Sequence, residues 1–391
     1  MINVPKAWQL VIENCPAPKI KRLPLSEASG TILAEAVYAA IDTPPFHQAA
    51  YDGYAFSFDK WNKISPLKIN GEIQTGNYSN KLVQANEAVR IFTGASVPPG
   101  ADTVVMQENA ILNGNLIVIQ DTELVKGSNV RLQGSQTQKG EIALQQEQLL
   151  TPAGISYLAG IGINDVKVFS KPAVSIIITG KELIKPGNQI AKGKIFESNS
   201  AGLVAALQNI GISPVSVEVV DDREEEIEQA VSKQLYADIL ILTGGVSVGD
   251  YDLVPASLEK CGVKKVFHKV KQKPGKPLFF GVHEQTLVFA LPGNPAAVLS
   301  CFYKYVVPAI SCFTHKNYFK KMLLPLVRDF YKKPGLTYFA KGRTGAKSVT
   351  ILGDQESYLL NSFAVADCLV ELEEAKEYYI KGDFVNVSMI I

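Results

Sequence analysis

Apolar positions recur along this chain with two different periods, and the alternation between them sketches the fold before any chemistry is considered. Residues 5–15 carry apolar side chains at helical spacing, and residues 25–40 repeat Ala and Leu around Ile32, Leu33 and Val37, so both stretches predict helices. The run Asp42-Thr43-Pro44-Pro45 breaks that pattern. From about 67 to 144 the character is short strands, at 67–73, 88–92, 103–107 and 116–119, punctuated by Gly, Asn and Pro. Asn113-Gly114 sits between two apolar runs as a tight hairpin would. Thr151-Pro152 then opens a helix toward Gly160, with Thr as cap and Pro at the first helical position.

After Lys171-Pro172 the pattern becomes a regular alternation of strands and helices. Strands are expected at 173–178, 214–220, 239–242 and 286–290, and helices at 198–209, 222–236, 254–260 and from 295 to about 307. Continuous apolar strands alternating with helices predict a doubly wound, parallel α/β sheet covered on both faces. From 313 the chain returns to short strand-like pieces. The expected division is a helical linker domain (1–40 with 142–170), an inserted β-rich domain (41–141), the α/β domain (171–312) and a small C-terminal β-rich domain (313–391).

Composition narrows the class. Hydrophobic residues are 47% and charged residues 20% of 391, a globular profile. A net charge of +1 without a basic cluster argues against a nucleic-acid binder. The N-terminus lacks the pattern of a secretory signal, and no run reaches the roughly 18 apolar residues of a membrane span, so a cytoplasmic location without membrane attachment is expected. Five scattered cysteines and four isolated histidines offer neither a disulfide framework nor a zinc pattern.

In open parallel sheets, ligands bind beyond the carboxyl ends of the strands. Here those ends carry Thr179-Gly180-Lys181-Glu182, Asp221-Asp222, the long loop from Thr243 to Asp252, and Leu291-Pro292-Gly293-Asn294-Pro295. Gly244, Gly245 and Gly249, with Ser247 between them, let backbone N–H groups turn toward an anion, and the next helix presents its positive end there. The loop is neither a P-loop nor a GxGxxG turn. Glu182, Asp221 and Asp252 form a candidate Mg²⁺ set, because hard oxygen ligands beside phosphates suit that ion. Lys273-Pro274-Gly275-Lys276-Pro277 places two cations on a proline-stiffened turn, fit for phosphate or oxyanion binding. Taken singly, each feature also reads as an ordinary turn. In the N-terminal half, Asp52 and Thr93 stand beside turn glycines, in Tyr51-Asp52-Gly53-Tyr54-Ala55 and Phe92-Thr93-Gly94-Ala95.

The order and spacing of these motifs, together with Pro44-Pro45-Phe46 and Pro99-Gly100-Ala101-Asp102, resemble the MoeA family of molybdopterin molybdenumtransferases, which includes the gephyrin E domain. The resemblance spans essentially the whole chain. It implies a homodimer of four-domain subunits, in which adenylylated molybdopterin and molybdate yield the molybdenum cofactor and AMP with help from Mg²⁺. It implies that Asp52 and Thr93 come from the partner subunit and that Glu182, Asp221 and Asp252 handle metal and nucleotide. Lys273 and Lys276 would hold molybdate or phosphate, while Gly244, Gly245, Ser247, Gly249, Pro292, Gly293, Asn294, Pro295 and Ser357 would contact the pterin. A molybdopterin adenylyltransferase is the expected protein partner.

Several positions depart from the family pattern: Gln136 stands where an Asp is usual, Lys181 where an Asp is usual, and Lys341 where an Arg is expected. Glu356-Ser357 and Ala366-Asp367 replace Gly-Ser and Ala-Asn. Lys181 could act as a built-in cation beside the phosphates. The alternatives are a non-catalytic carrier of molybdopterin or AMP, motivated by these substitutions, and a molybdopterin adenylyltransferase, which the N-terminal motifs disfavour.

Overall fold

The computed structural model describes residues 1–246 and 253–390. The chain forms two compact units, residues 22–168 and residues 1–21 with 169–391.

In the 22–168 unit a six-stranded sheet carries the strands expected from the β pattern. Four of its strands, Leu67–Ile73, Glu87–Ile91, Thr103–Met106 and Leu116–Ile119, are the expected ones, and Gly53–Phe56 and Ala110–Asn113 complete the sheet. The hairpin falls where Asn113-Gly114 placed it, one residue on: Asn113 pairs with Leu116, leaving Gly114-Asn115 as the two-residue turn, with Gly114 at φ 63°. Helix Pro152–Gly160 is capped as expected, Thr151 Oγ1 accepting from the Gly154 N–H. The helix expected over 25–40 stops after one turn, Leu25–Ala28. Gly30 takes φ 76°, which ends the helix, and the residues beyond find strand partners: Ile32 bridges Leu149, Leu33 bridges Val168, and Val37–Tyr38 pairs with Ile142–Leu144. Spacing alone cannot register partners more than a hundred residues away.

The other unit is built on the α/β alternation. Its sheet strands are β1 Val174–Thr179, β2 Ser216–Val220, β3 Ile239–Thr243, β4 Lys264–His268, β5 Phe279–His283 and β6 Thr286–Leu291. The spatial order is β2-β1-β3-β6-β5-β4, with the first four strands parallel, β5 antiparallel to β6, and β4 antiparallel to β5. The sheet is therefore mixed, extended by a hairpin-like edge that the wholly parallel expectation omitted. Helices α1 Asn199–Asn209, α2 Glu224–Gln234, α3 Leu253–Lys260 and α4 Pro295–Cys301 cover it. Alternate residues of β1 divide between the faces: Val174, Ile176 and Ile178 pack with Leu203 and Leu207 of α1, while Ile177 packs with Ile227 and Val231 of α2 and Leu258 of α3. The helix Val4–Glu13 adds Val4, Ala7 and Val11 to the first of these cores.

After Cys301, α4 runs through a π-helical turn, Phe302–Val306, into a further helix, Val307–Thr314. The span 295–314 is long and apolar enough to cross a membrane, yet 78% of its apolar window is buried inside the fold, as befits a core helix. The C-terminal strands Lys321–Pro325, Thr337–Thr344, Cys368–Leu372 and Phe384–Met389 form a second sheet, and Gln272–Lys273 pairs in parallel with Thr337–Tyr338 at its edge. That pairing ties the lysine turn to the C-terminal sheet.

Candidate functional site

Because β1, β2, β3 and β6 are parallel, Thr179, Val220, Thr243 and Leu291 end at one edge, and the loops after them open a cleft of about 710 Å³. Gly244 and Gly245 line it. Gly244 has φ 93°, and a Cβ there would lie 2.4 Å from the Thr179 carbonyl oxygen. Gly245 has φ 60°, and its Cβ would lie 2.8 Å from Val254 Cγ2. Positive φ and these close approaches favour glycine at both positions, and the Gly244 N–H closes the strand end by donating to the Leu291 carbonyl at 3.3 Å. Gly293 needs no such freedom: its nearest neighbour, Gly244 Cα, is 3.6 Å from the ideal Cβ.

Three side-chain oxygens in the walls of this cleft, Thr179 Oγ1, Asn199 Oδ1 and Asp222 Oδ1, are shielded from solvent and have no hydrogen-bond partner among the described residues. Buried polar atoms are nearly always paired, so three orphans in one cleft mark it as built for a polar ligand. The Asn199 amide nitrogen donates instead to the Gly293 carbonyl at 2.9 Å. Pro295 opens α4, and Asn294 donates to Ser357 Oγ at 2.9 Å, which brings Ser357 from the C-terminal domain into the wall beside Pro292.

Lys273 and Lys276 face the cleft from a turn in which the Lys273–Pro274 peptide is cis. Behind the turn lies Gln272, 1% exposed. Its amide donates to the Gly275 carbonyl at 3.0 Å and accepts from the Tyr305 hydroxyl. Cys301 Sγ lies 3.5 Å from the same amide nitrogen. Burial pushes the Cys301 thiol up to about 12 and the Tyr305 phenol well above its usual range, so both keep their protons and the phenol remains a donor. A Cβ on Gly275 would meet that sulfur at 2.3 Å. Gln272 and Tyr305 escaped the sequence reading, since neither belongs to a recognisable motif. Adjacency to the lysine turn was the only available signal.

Of the expected acidic set, Glu182 lines the cleft. Asp222 lines it where Asp221 was named; Asp221 is exposed, and its backbone N–H donates to Glu226. Asp252, Ser247 and Gly249 lie outside the described residues. Among the described residues no group of three or more His, Cys, Asp or Glu could cage a metal. Two carboxylates, one with an unpartnered buried oxygen, nevertheless fit a Mg²⁺ ion that takes its remaining ligands from water and substrate phosphate. Lys181 is exposed, between the cleft-lining residues Thr179 and Glu182.

Other departures have structural explanations. Lys341, 3% exposed, donates to the carbonyls of Asp354, Glu356 and Leu359 and so anchors the loop carrying Ser357. Burial lowers its pKa. Asp367 accepts the Thr344 N–H and hydroxyl. The Gln136 side chain is exposed.

In the 22–168 unit, Asp52 and Thr93 are brought into direct contact across 41 residues of sequence: Asp52 Oδ1 accepts the Thr93 N–H at 2.8 Å and its hydroxyl at 2.7 Å. These bonds, the backbone one first, hold the Asp52 carboxyl below its usual range, and the Arg90 charge adds to them. Arg90 donates to the Gly53 carbonyl and lies over the Tyr54 and Phe92 rings. Gly53 is sterically obligatory, since a Cβ there would lie 1.9 Å from the Val105 carbonyl oxygen.

Fold and cleft together define an α/β protein with a polar cleft at the carboxyl edge of its sheet. Family models match three consecutive stretches: the MoeA N-terminal region (domain I and II) at 2–162, a "Probable molybdopterin binding domain" at 175–311, and the MoeA C-terminal region (domain IV) at 324–390. Molybdopterin molybdenumtransferase of Haemophilus influenzae is 33% identical over 99% of this chain and 98% of its own length. The Staphylococcus aureus protein of the same name is 32% identical over 99% and 95%. The crystal structure of the molybdopterin biosynthesis MoeA protein of Pyrococcus horikoshii superposes with a TM-score of 0.87 at 28% identity, covering 100% of this chain and 99% of that one. The chain belongs to the molybdopterin molybdenumtransferase (MoeA) family.

Proposed function

We propose that this protein is an enzyme that inserts molybdenum into adenylylated molybdopterin, releasing AMP and leaving the molybdenum cofactor. The observation that carries this reading is the meeting, in one cleft, of a two-lysine turn, two turn glycines and three buried oxygens that lack a partner among the described residues. The glycine turn at Gly244-Gly245 lets a phosphate approach the backbone closely. Lys273 and Lys276 hold the molybdate substrate or the phosphate that carries negative charge as the phosphoanhydride P–O bond breaks, water adding across it. Thr179, Asn199 and Asp222 supply the polar contacts that orient the substrate, and Asn294, Pro295 and Ser357 wall the pterin side. Glu182 and Asp222 would hold Mg²⁺, which when bound neutralises phosphate charge. The dithiolene sulfurs that receive molybdenum belong to the substrate, so no cysteine of the chain is required.

The active form in this reading is a cytoplasmic homodimer of four-domain subunits, divided as expected above. Asp52 and Thr93 are supplied by a second copy of the chain, and an adenylyltransferase delivers the substrate. The test is AMP release by the purified protein given adenylylated molybdopterin and Mg²⁺, with and without molybdate. Molybdate-dependent release with formation of active cofactor is expected; binding without release would overturn the enzymatic reading.

A further inference from the structure

The two lysines of the turn are not equivalent. Lys273 Nζ lies 3.3 Å from Glu356 Oε1 and 5.6 Å from the centre of the Tyr338 ring, whereas Lys276 has no ion pair among the described residues. The carboxylate does not hang on a loose surface loop. Lys341, buried, donates to the Glu356 carbonyl at 3.3 Å and to the carbonyls on either side, at Asp354 and Leu359. The next residue, Ser357, is fixed to the start of α4 through Asn294 and through the Ala296 N–H, 3.3 Å from the Ser357 carbonyl. The lysine is equally placed, on a strand paired to Thr337–Tyr338 and held from behind by Gln272. Both partners of the pair are thus delivered by fixed backbone.

We propose that Glu356 is a built-in counter-ion that occupies Lys273 until a substrate oxyanion displaces it, and that it thereby sets the affinity of the turn for that oxyanion. This deepens the reading above and rests on Lys273 being an oxyanion-binding lysine. An ammonium cannot pair fully with two anions on the same side without bringing them into repulsion, so the tetrahedral dianion and the carboxylate compete. Both side chains are partly exposed, at 37% and 56%, so the pair is a modest one. Its effect is a tuning of affinity of about two- to five-fold, not a lock. A freed carboxylate turns outward to water, where its solvation costs nothing.

The prediction is a gain, which damage to the fold would not imitate. In the full-length protein, Lys273 is labelled with an amine-reactive acetylating reagent and its extent followed by peptide mass spectrometry, with Lys276 as internal reference. Glu356→Gln should raise the Lys273 labelling rate about two- to five-fold, leave Lys276 nearly unchanged, and lower by a similar factor the molybdate concentration that half-protects Lys273. Glu356→Gly should do the same. Equal Lys273 labelling in the wild type and both variants would overturn the counter-ion, while protection by molybdate would keep the oxyanion turn. Faster labelling in the variants with no protection by molybdate in any of them would overturn the oxyanion turn, and displacement with it.

Discussion

Single side chains carry the chemistry, and their roles depend on partners that sequence distance conceals. Asp52 was legible as a candidate from its place beside Gly53, but its bond to Thr93 required the strands Gly53–Phe56 and Glu87–Ile91 to pair. That bond has a consequence for pH. A carboxyl whose pKa is lower in the folded state contributes stability that is fully present above its unfolded value and is lost as pH falls through the lowered one. The Asp52 side-chain carboxyl resonance should therefore titrate below the ordinary aspartate range, and Thr93→Val should move it upward toward that range. A midpoint unchanged by Thr93→Val would show that the threonine does not set it. Asp221 illustrates the opposite outcome: adjacent aspartates are indistinguishable in sequence, and only the path of the chain after β2 turns Asp222, not Asp221, into the cleft.

Elements were legible where a local signal was strong. Strands Leu67–Ile73 and Leu116–Ile119 and the helix Pro152–Gly160 stand where alternation and capping placed them, because their determinants lie within a few residues. The 25–40 stretch failed because Ala and Leu at helical spacing compete with a glycine turn and with strand partners near 142–168. The antiparallel edge of the α/β sheet was missed for a similar reason, β4 and β5 taking their direction from pairing. Within the 22–168 unit, two glycines make opposite predictions for the same substitution. Gly53→Ala forces a Cβ onto the Val105 carbonyl and should destabilise by about 1–3 kcal/mol or more. Gly160→Ala meets no atom within 4 Å at the end of its helix and should stabilise by up to about 1 kcal/mol. Urea denaturation of both variants checks the pair. Equal effects would mean that steric contact at Gly53 is relieved by backbone movement.

At the scale of the whole molecule, the reading of a site completed by a second copy can be tested by complementation. Asp52→Asn and Lys273→Met should each abolish most activity alone. Refolded or co-expressed together in equal amounts, they should recover about a quarter of wild-type turnover, because half the dimers are mixed and each holds one intact site. No recovery despite mixed dimers would assign both residues to a site within one chain. The sequence by itself determined the class of the molecule: the alternation of buried strands and helices demands an α/β sheet, glycines and prolines punctuate its strand ends, and the motif set identifies the family. Those are local facts, fixed by period, sterics and spacing. Tertiary structure alone decided which groups share the cleft. Tyr305 behind Gln272, Asn199 against Gly293 and Glu356 against Lys273 come from segments separated by dozens of residues. Their contacts depend on how sheets and helices pack, and no periodicity along the chain encodes that.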